Sequence, residues 1–214
     1  VLGITGASAQ QLALRALQLL LHGGEQVELV ASRGCAKVWQ DEQGITMPSH
    51  PSAQEVFWRQ QCGCQGGELR CHPWNALGAT IASGSYPVRG MLILPCTMGT
   101  VGRLAAGVSL ELLERAADVQ LKERRPLIIA PREMPWTLIH LRNLTRLAEA
   151  GAHIAPPIPA WYQNPKSLED MVDFLVIRIL DSLGYELGQL ERWPGPVKKP
   201  HVPPLAMGTQ SSQP

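Results

Sequence analysis

R-A-A-D-V-Q-L-K-E-R-R-P-L-I-I-A-P-R-E, residues 115–133, reads as the end of a helix, a charged corner, a short apolar strand and a loop opening on Arg132 and Glu133. Five cations and three carboxylates flank the strand at residues 127–130. In α/β proteins ligands sit outside the carboxyl ends of the strands. Arg132 and Glu133 fall at that place, so the stretch predicts both the fold and one wall of a site.

Working outward, the same unit recurs. Residues 1–5 read as a strand, Gly6-Ala7-Ser8 as a tight turn, and residues 12–21 as a helix with Leu12, Ala16, Leu19 and Leu20 on one face. Gly23-Gly24 ends that helix. A small-residue turn into a helix lets backbone N–H groups meet an anion. It lacks the dinucleotide fingerprint, so a plain tight turn is the alternative. Residues 27–31 form a second strand ending at Ser32, and residues 34–40 a short helix before Asp41 and Glu42. Residues 91–94 form a third strand, followed by Pro95-Cys96-Thr97-Met98-Gly99-Thr100. One helix is expected from about 101 to 122, with Leu104, Val108, Leu112 and Ala116 as its stripe. Helix 135–150, a short strand at 152–155, and a capped helix from Ser167-Leu168-Glu169-Asp170 to Leu183 complete the series. Residues 49–82 read as irregular, apart from a turn or two of helix at 55–61. Strands alternating with helices predict a three-layer, Rossmann-like (flavodoxin-like) α/β fold with a mainly parallel sheet. Its carboxyl edge would carry Ser8, Ser32, Thr97, Thr100 and Arg132, a set suited to an anionic cofactor.

Bulk properties narrow the classes. The chain has 214 residues and a net charge of +1, which gives no case for nucleic acid or an anionic membrane surface. No apolar run approaches the ~18 residues of a membrane span, and no secretory signal pattern is visible. Five cysteines, an odd count, fit a reducing cytoplasm better than a disulfide framework. Cys62, Cys64, Cys71 and His72 could be read as a zinc set, but C-x-C is tighter than the usual hook, so no metal is expected. Cys96 reads as a small buried residue rather than a nucleophile. Arg124 and Arg125 read as a solvated corner. Arg178 stands among Val176, Ile177, Ile179 and Leu180, where a cation needs a partner, unless it lies on an outward helix face. Residues 1–193 are expected to be one domain, and 194–214, rich in Pro, Lys, Ser and Gln, an arm or tail.

Four motifs carry a resemblance: residues 3–8 (GITGAS), 94–100 (LPCTMGT), the opening stretch, and 156–162 (PPIPAWY). In this order and spacing they resemble the UbiX-type flavin prenyltransferases, over about residues 1–193. The resemblance implies an enzyme that joins reduced FMN to dimethylallyl monophosphate without a metal. It implies a prenylated FMN passed to a UbiD-type decarboxylase, and a homo-oligomer, typically a dodecamer, with sites at subunit interfaces. By position, Gly6, Ala7, Ser8, Ser32, Thr97, Met98, Gly99, Thr100 and Arg132 resemble FMN contacts. Lys122, Tyr162 and Arg178 resemble contacts to the prenyl phosphate. Glu42 and Glu133 resemble acidic residues at the reacting centre, Arg115 and Trp193 further catalytic positions, and Ser8 a proton relay. One departure stands out. The family's first motif continues Gly-Ala-Ser-Gly, whereas this chain has Ala9, which is costly if the position needs φ > 0. Two other classes compete. One is an FMN-dependent decarboxylase of the cysteine-decarboxylase type, which relies on a catalytic His and an Asn-containing loop; loop 96–100 has no Asn. The other is a non-catalytic flavin carrier or regulatory protein.

Overall fold

The computed structural model describes residues 1–185. Its centre is a six-stranded sheet: β1 (Leu2–Ile4), β2 (Gln26–Ala31), β3 (Glu68–His72), β4 (Met91–Cys96), β5 (Leu127–Pro131) and β6 (His153–Ile154), in the order β3-β2-β1-β4-β5-β6. Every pairing is parallel. The strand order reverses between β1 and β4, and such a reversal opens a crevice at the carboxyl edge.

Both faces are covered, and the alternation of side chains in each strand says why. Leu92 and Leu94 face a core built with α1 (Gln10–His22), α2 (Arg33–Gln43), α3 (Pro51–Cys62) and α7 (Leu168–Asp181). Met91 and Ile93 face the other, built with α4 (Met98–Ala105), α5 (Leu112–Lys122) and α6 (Leu138–Glu149). Strands buried on both faces read as continuous apolar runs, which is how β4 and β5 look in the sequence. Trp39, Phe57 and Trp58 pack edge to face at 5.1–5.6 Å between α2 and α3.

Four expectations need correction. The helix expected over 101–122 is two helices. Gly107 takes φ 68, and Glu111 and Glu114 form a capping box that starts α5 afresh. The segment 49–82 is not irregular: it holds all of α3 and the edge strand β3. Arg125 is not simply solvated, because its guanidinium donates to the Tyr86 (2.8 Å) and Gly84 (2.6 Å) carbonyls and clamps the β3–β4 connection. The capping box at Ser167 and Asp170 forms as expected. The helix expected over 135–150 starts three residues late, at Leu138, capped by the Thr137 hydroxyl.

The outer rim of β3 is closed by side chains. Glu55 accepts the Cys71 N–H (3.1 Å), and Arg59 donates to the Gly66 (2.8 Å) and Gly67 (3.1 Å) carbonyls.

On the inner side of β3, buried Glu28 gathers His72 Nε2 at 2.5 Å, the Tyr86 hydroxyl at 2.6 Å and Arg70 at 3.1 Å. Burial pushes its carboxyl up, but His72, Tyr86 and Arg70 together outweigh burial and hold it below its ordinary 4.5. A depressed acid stabilises the fold above its unfolded value and loses that contribution as pH falls through the folded one. A Glu28→Gln variant is therefore expected to lose about 1–3 kcal/mol near neutrality. The difference from the parent should shrink below pH 4.5 in urea melts. An unchanged midpoint at pH 7 would show that the cluster contributes nothing.

Candidate active site

Three helices begin at the carboxyl edge beside the β1/β4 crevice. α1 starts after Gly6-Ala7-Ser8, α2 after Ser32, and α4 after Thr97. The first turn of any helix leaves N–H donors without intrahelical partners. Ala9, at the cap of α1, offers only its carbonyl, which accepts Leu12 N (3.1 Å); at α2 the Ser32 side chain makes no cap bond, and Glu111 Oε2 accepts Arg33 N (3.1 Å). Of the three, α4 alone is capped by its own N-cap side chain, Thr97 Oγ1 accepting from Thr100 N. The first-turn N–H groups left over, three hydroxyls and helix dipoles pointing at one crevice suit a phosphate-bearing ligand.

Close backbone contact holds these turns together. A Cβ on Gly6 would lie 2.7 Å from the Gly34 carbonyl oxygen, so the first turns of the β1–α1 and β2–α2 units touch main chain to main chain. Thr5 ties β1 to β4: its hydroxyl donates to the Pro95 carbonyl (2.7 Å) and accepts from Thr97 N (2.9 Å). Arg132 N donates to the Cys96 carbonyl (3.0 Å), bringing the β5 loop alongside, with the Arg132 and Glu133 side chains exposed. Ala9 does adopt φ 76. Left-handed backbone costs a residue with a Cβ about 1–2 kcal/mol, against which glycine loses some unfolded-state entropy. An Ala9→Gly variant is thus expected to melt about 1–4 °C higher in calorimetry; a lower melting temperature would mean the methyl is packed to advantage.

The chain brings together Gly6, Ala7, Ser8, Ser32, residues 97–100 and Arg132. It does not bring the rest to them. Arg115 is the nearest of them, one turn into α5, whose start lies at the carboxyl edge where Glu111 Oε2 accepts Arg33 N (3.1 Å); it is half-buried and paired with Asp118 at 2.6 Å. Lys122 ends α5, about 15 Å from its start at 1.5 Å per residue. It lies at the amino edge beside Glu123 and the Gly84 backbone. Glu42 is exposed at the far end of α2. Tyr162 is exposed and stacks edge-on against Phe174 of α7 at 5.6 Å. Arg178 takes the outward-face alternative: it is exposed on α7 and pairs with Asp181 at 3.0 Å. Trp193 lies outside the described residues. Cys96 is fully buried and burial pushes its thiol far up, so it stays protonated and unreactive. Among the described residues no group of three or more His, Cys, Asp or Glu is placed to hold a metal.

Sequence reasoning missed two charged residues behind the crevice. Glu114, only 1% exposed, accepts Leu110 N (2.7 Å), Glu111 N (3.0 Å) and Arg103 Nε. The expected single helix hid this pair, because it made 103 and 114 two points on one rod.

Comparison with known proteins follows the same geometry. The chain matches the family described as Flavoprotein over residues 1–180. It is 58% identical over 196 residues to "Flavin prenyltransferase UbiX" of Synechocystis sp., covering 91% of this chain and 95% of that one. Among solved structures it resembles AnUbiX in complex with FMN and dimethylallyl pyrophosphate, with a TM-score of 0.78 and 36% identity over 91% of this chain and 96% of that one. A dodecameric FMN-dependent UbiX-like decarboxylase from Escherichia coli O157:H7 also scores 0.78, at 34% identity over 91% and 98%.

Proposed function

The chain belongs to the Flavoprotein family and, within it, to the UbiX flavin prenyltransferases, and from that premise we propose that it joins reduced FMN to dimethylallyl monophosphate. The observation that carries the reading is the convergence of three helix N-termini on the β1/β4 crevice, beside the hydroxyls of Ser8, Ser32 and Thr97. Reduced FMN supplies the nucleophilic N5 and C6 atoms, and the donor supplies the five-carbon group and a phosphate leaving group.

The protein's part is placement, charge and proton handling. Gly6, Ala7, Ser8, Ser32, residues 97–100 and Arg132 hold the flavin. Lys122, Tyr162 and Arg178 stabilise the leaving phosphate, a charge that grows in the transition state and is worth most where water is excluded. Ser8 passes on the proton released at C6, and Glu133 protonates the departing phosphate. Arg115 and Glu42 add charge at the reacting centre, and Trp193 walls the allyl group. The described residues act as one flavin-binding domain; the rest of the expected domain, to residue 193, and the expected arm at 194–214 lie outside them.

Lys122 and Glu42 stand away from the flavin edge of their own chain, so they serve the site of a neighbouring copy. We therefore propose a homo-oligomer, a dodecamer, supported by the dodecameric relative and by apolar Met134, Leu138 and Ile139 standing exposed before and on α6. No helix among the described residues is long and apolar enough to cross a membrane. All five thiols are unpaired, which supports a reducing cytoplasm. The product would go to a UbiD-type decarboxylase.

The test is anaerobic incubation with reduced FMN and dimethylallyl monophosphate, with the diphosphate in parallel, followed by mass spectrometry of the flavin. A gain of one five-carbon unit, faster with the monophosphate, is expected; unchanged flavin mass overturns the reading. The product should also activate a cofactor-free decarboxylase of the UbiD type. A Glu133→Gln enzyme with unaltered turnover would remove Glu133 from proton transfer.

A further inference from the structure

We propose that Arg103 is a positioning residue for the flavin, locked by the buried Glu114 carboxylate and acting through the hydroxyls of Thr100 and Thr97. The proposal rests on the reading that FMN lies at this edge.

The geometry is a relay of fixed polarity. Glu114 uses Oε2 to hold the backbone at the start of α5, and Oε1 to hold Arg103 Nε. That leaves the Arg103 fork one direction in which to reach. Its Nη2 donates to Thr100 Oγ1 at 3.3 Å. Thr100 Oγ1 and Thr97 Oγ1 are 2.9 Å apart, and Thr97 Oγ1 also accepts Thr100 N at 3.1 Å.

Each hydroxyl has one proton and two lone pairs, and a guanidinium only donates. Two arrangements of the two protons are possible. If Thr97 donates to Thr100, the Thr100 proton is left in a 2% exposed site with no acceptor, which costs about 1–3 kcal/mol. If Thr100 donates to Thr97, both Thr97 lone pairs are used, one by Thr100 N and one by Thr100 Oγ1. The Thr97 proton must then point out of the pair, toward the crevice, where Thr97 is half-buried. Arg103 favours the second arrangement, because its positive N–H group occupies Thr100 Oγ1 and turns that proton away. Thr97 therefore meets the crevice as a donor, at the N-terminus of α4, where anionic and other acceptor oxygens are favoured. The phosphate and ribityl oxygens of FMN are such acceptors. Without Arg103 nothing turns the Thr100 proton to that side and Glu114 Oε1 loses its partner, so the preference for the second arrangement weakens and Thr97 meets those oxygens part of the time with a lone pair.

The test is FMN affinity of the apo-protein, read by quenching of flavin fluorescence, in Arg103→Lys, Arg103→Met, Thr97→Val and the double variant Arg103→Met/Thr97→Val. Apo melting temperatures are measured alongside. Arg103→Met and Thr97→Val should each weaken FMN binding about tenfold, the size of one oriented hydrogen bond. The double variant should bind no worse than Thr97→Val alone, since the effect passes through that hydroxyl. Arg103→Lys keeps a cation for Glu114 but cannot also reach Thr100. It should keep the apo melting temperature and still lose FMN affinity, with KM for the dimethylallyl phosphate unchanged. Independent effects that multiply to about a hundredfold in the double variant would overturn the relay, as would parental affinity in Arg103→Lys. Parental protein that binds no FMN overturns the flavin reading itself, and this proposal with it.

Discussion

A Gly6→Ala variant is expected to bind FMN about tenfold more weakly or worse and to melt about 2–10 °C lower. The reason is purely steric. The new methyl carbon would sit 2.7 Å from the Gly34 carbonyl oxygen and 2.8 Å from its carbon, and both are backbone, which cannot swing aside as a side chain can. One of the two turns must retreat. Overpacking of this kind costs about 1–3 kcal/mol. It also pulls the α1 and α2 N-termini apart, so donors aimed at one ligand no longer converge. Gly78→Ala is the control: nothing lies within 4 Å of a Cβ there. It should leave both readouts alone. If Gly6→Ala binds FMN like the parent, the close contact of the two turns is not what shapes the site.

The second large effect is recovery of activity in a mixture. Lys122→Met should lower turnover by about 10²–10³, the usual consequence of removing one donor to developing charge, and Arg132→Met should lower activity through loss of its hold on the flavin. Both side chains are exposed, so neither loss should come from misfolding. They stand at opposite edges of the sheet, Lys122 at the amino end of β5 and Arg132 at its carboxyl end. A site that needs both must draw them from two chains. In oligomers co-assembled from equal amounts of the two variants, about one site in four then carries an intact residue from each side. Roughly a quarter of parental activity should return. No recovery in verified mixed oligomers would mean that a single chain supplies both.

Much of this was legible because strands β4 and β5 are short, apolar on both faces and followed at once by turn residues. Their carboxyl ends could be placed, and with them Thr97, Thr100 and Arg132. Ser8 and Ser32 followed by the same logic. The missed strand β3 had only Leu69 and Cys71 facing the core, in a run of five residues whose Cys71 and His72, with Cys62 and Cys64 just before, suggested chemistry instead. The break between α4 and α5 was hidden because Leu104, Val108, Leu112 and Ala116 keep a four-residue step across it. Periodicity cannot register a turn that leaves the stripe in phase. The Arg103–Glu114 pair was illegible for the same reason, since it exists only because the chain folds back at Gly107. Ala9 was the opposite case. Its left-handed backbone was signalled by the glycine that the resembled family's motif carries at that position.

The closed rim of β3 bears on how copies of this chain can meet. An edge strand usually offers a row of N–H and C=O groups on which another strand can be templated. Here Glu55 already occupies the Cys71 N–H, and Arg59 the carbonyls at Gly66 and Gly67 just before the strand. A foreign strand would have to displace a carboxylate and a guanidinium before gaining its first bond. That rim is partly blocked, and growth by strand addition, the route to fibrous aggregates, is disfavoured there. Assembly is left to the helical faces, whose side chains fix a geometry that can close on itself.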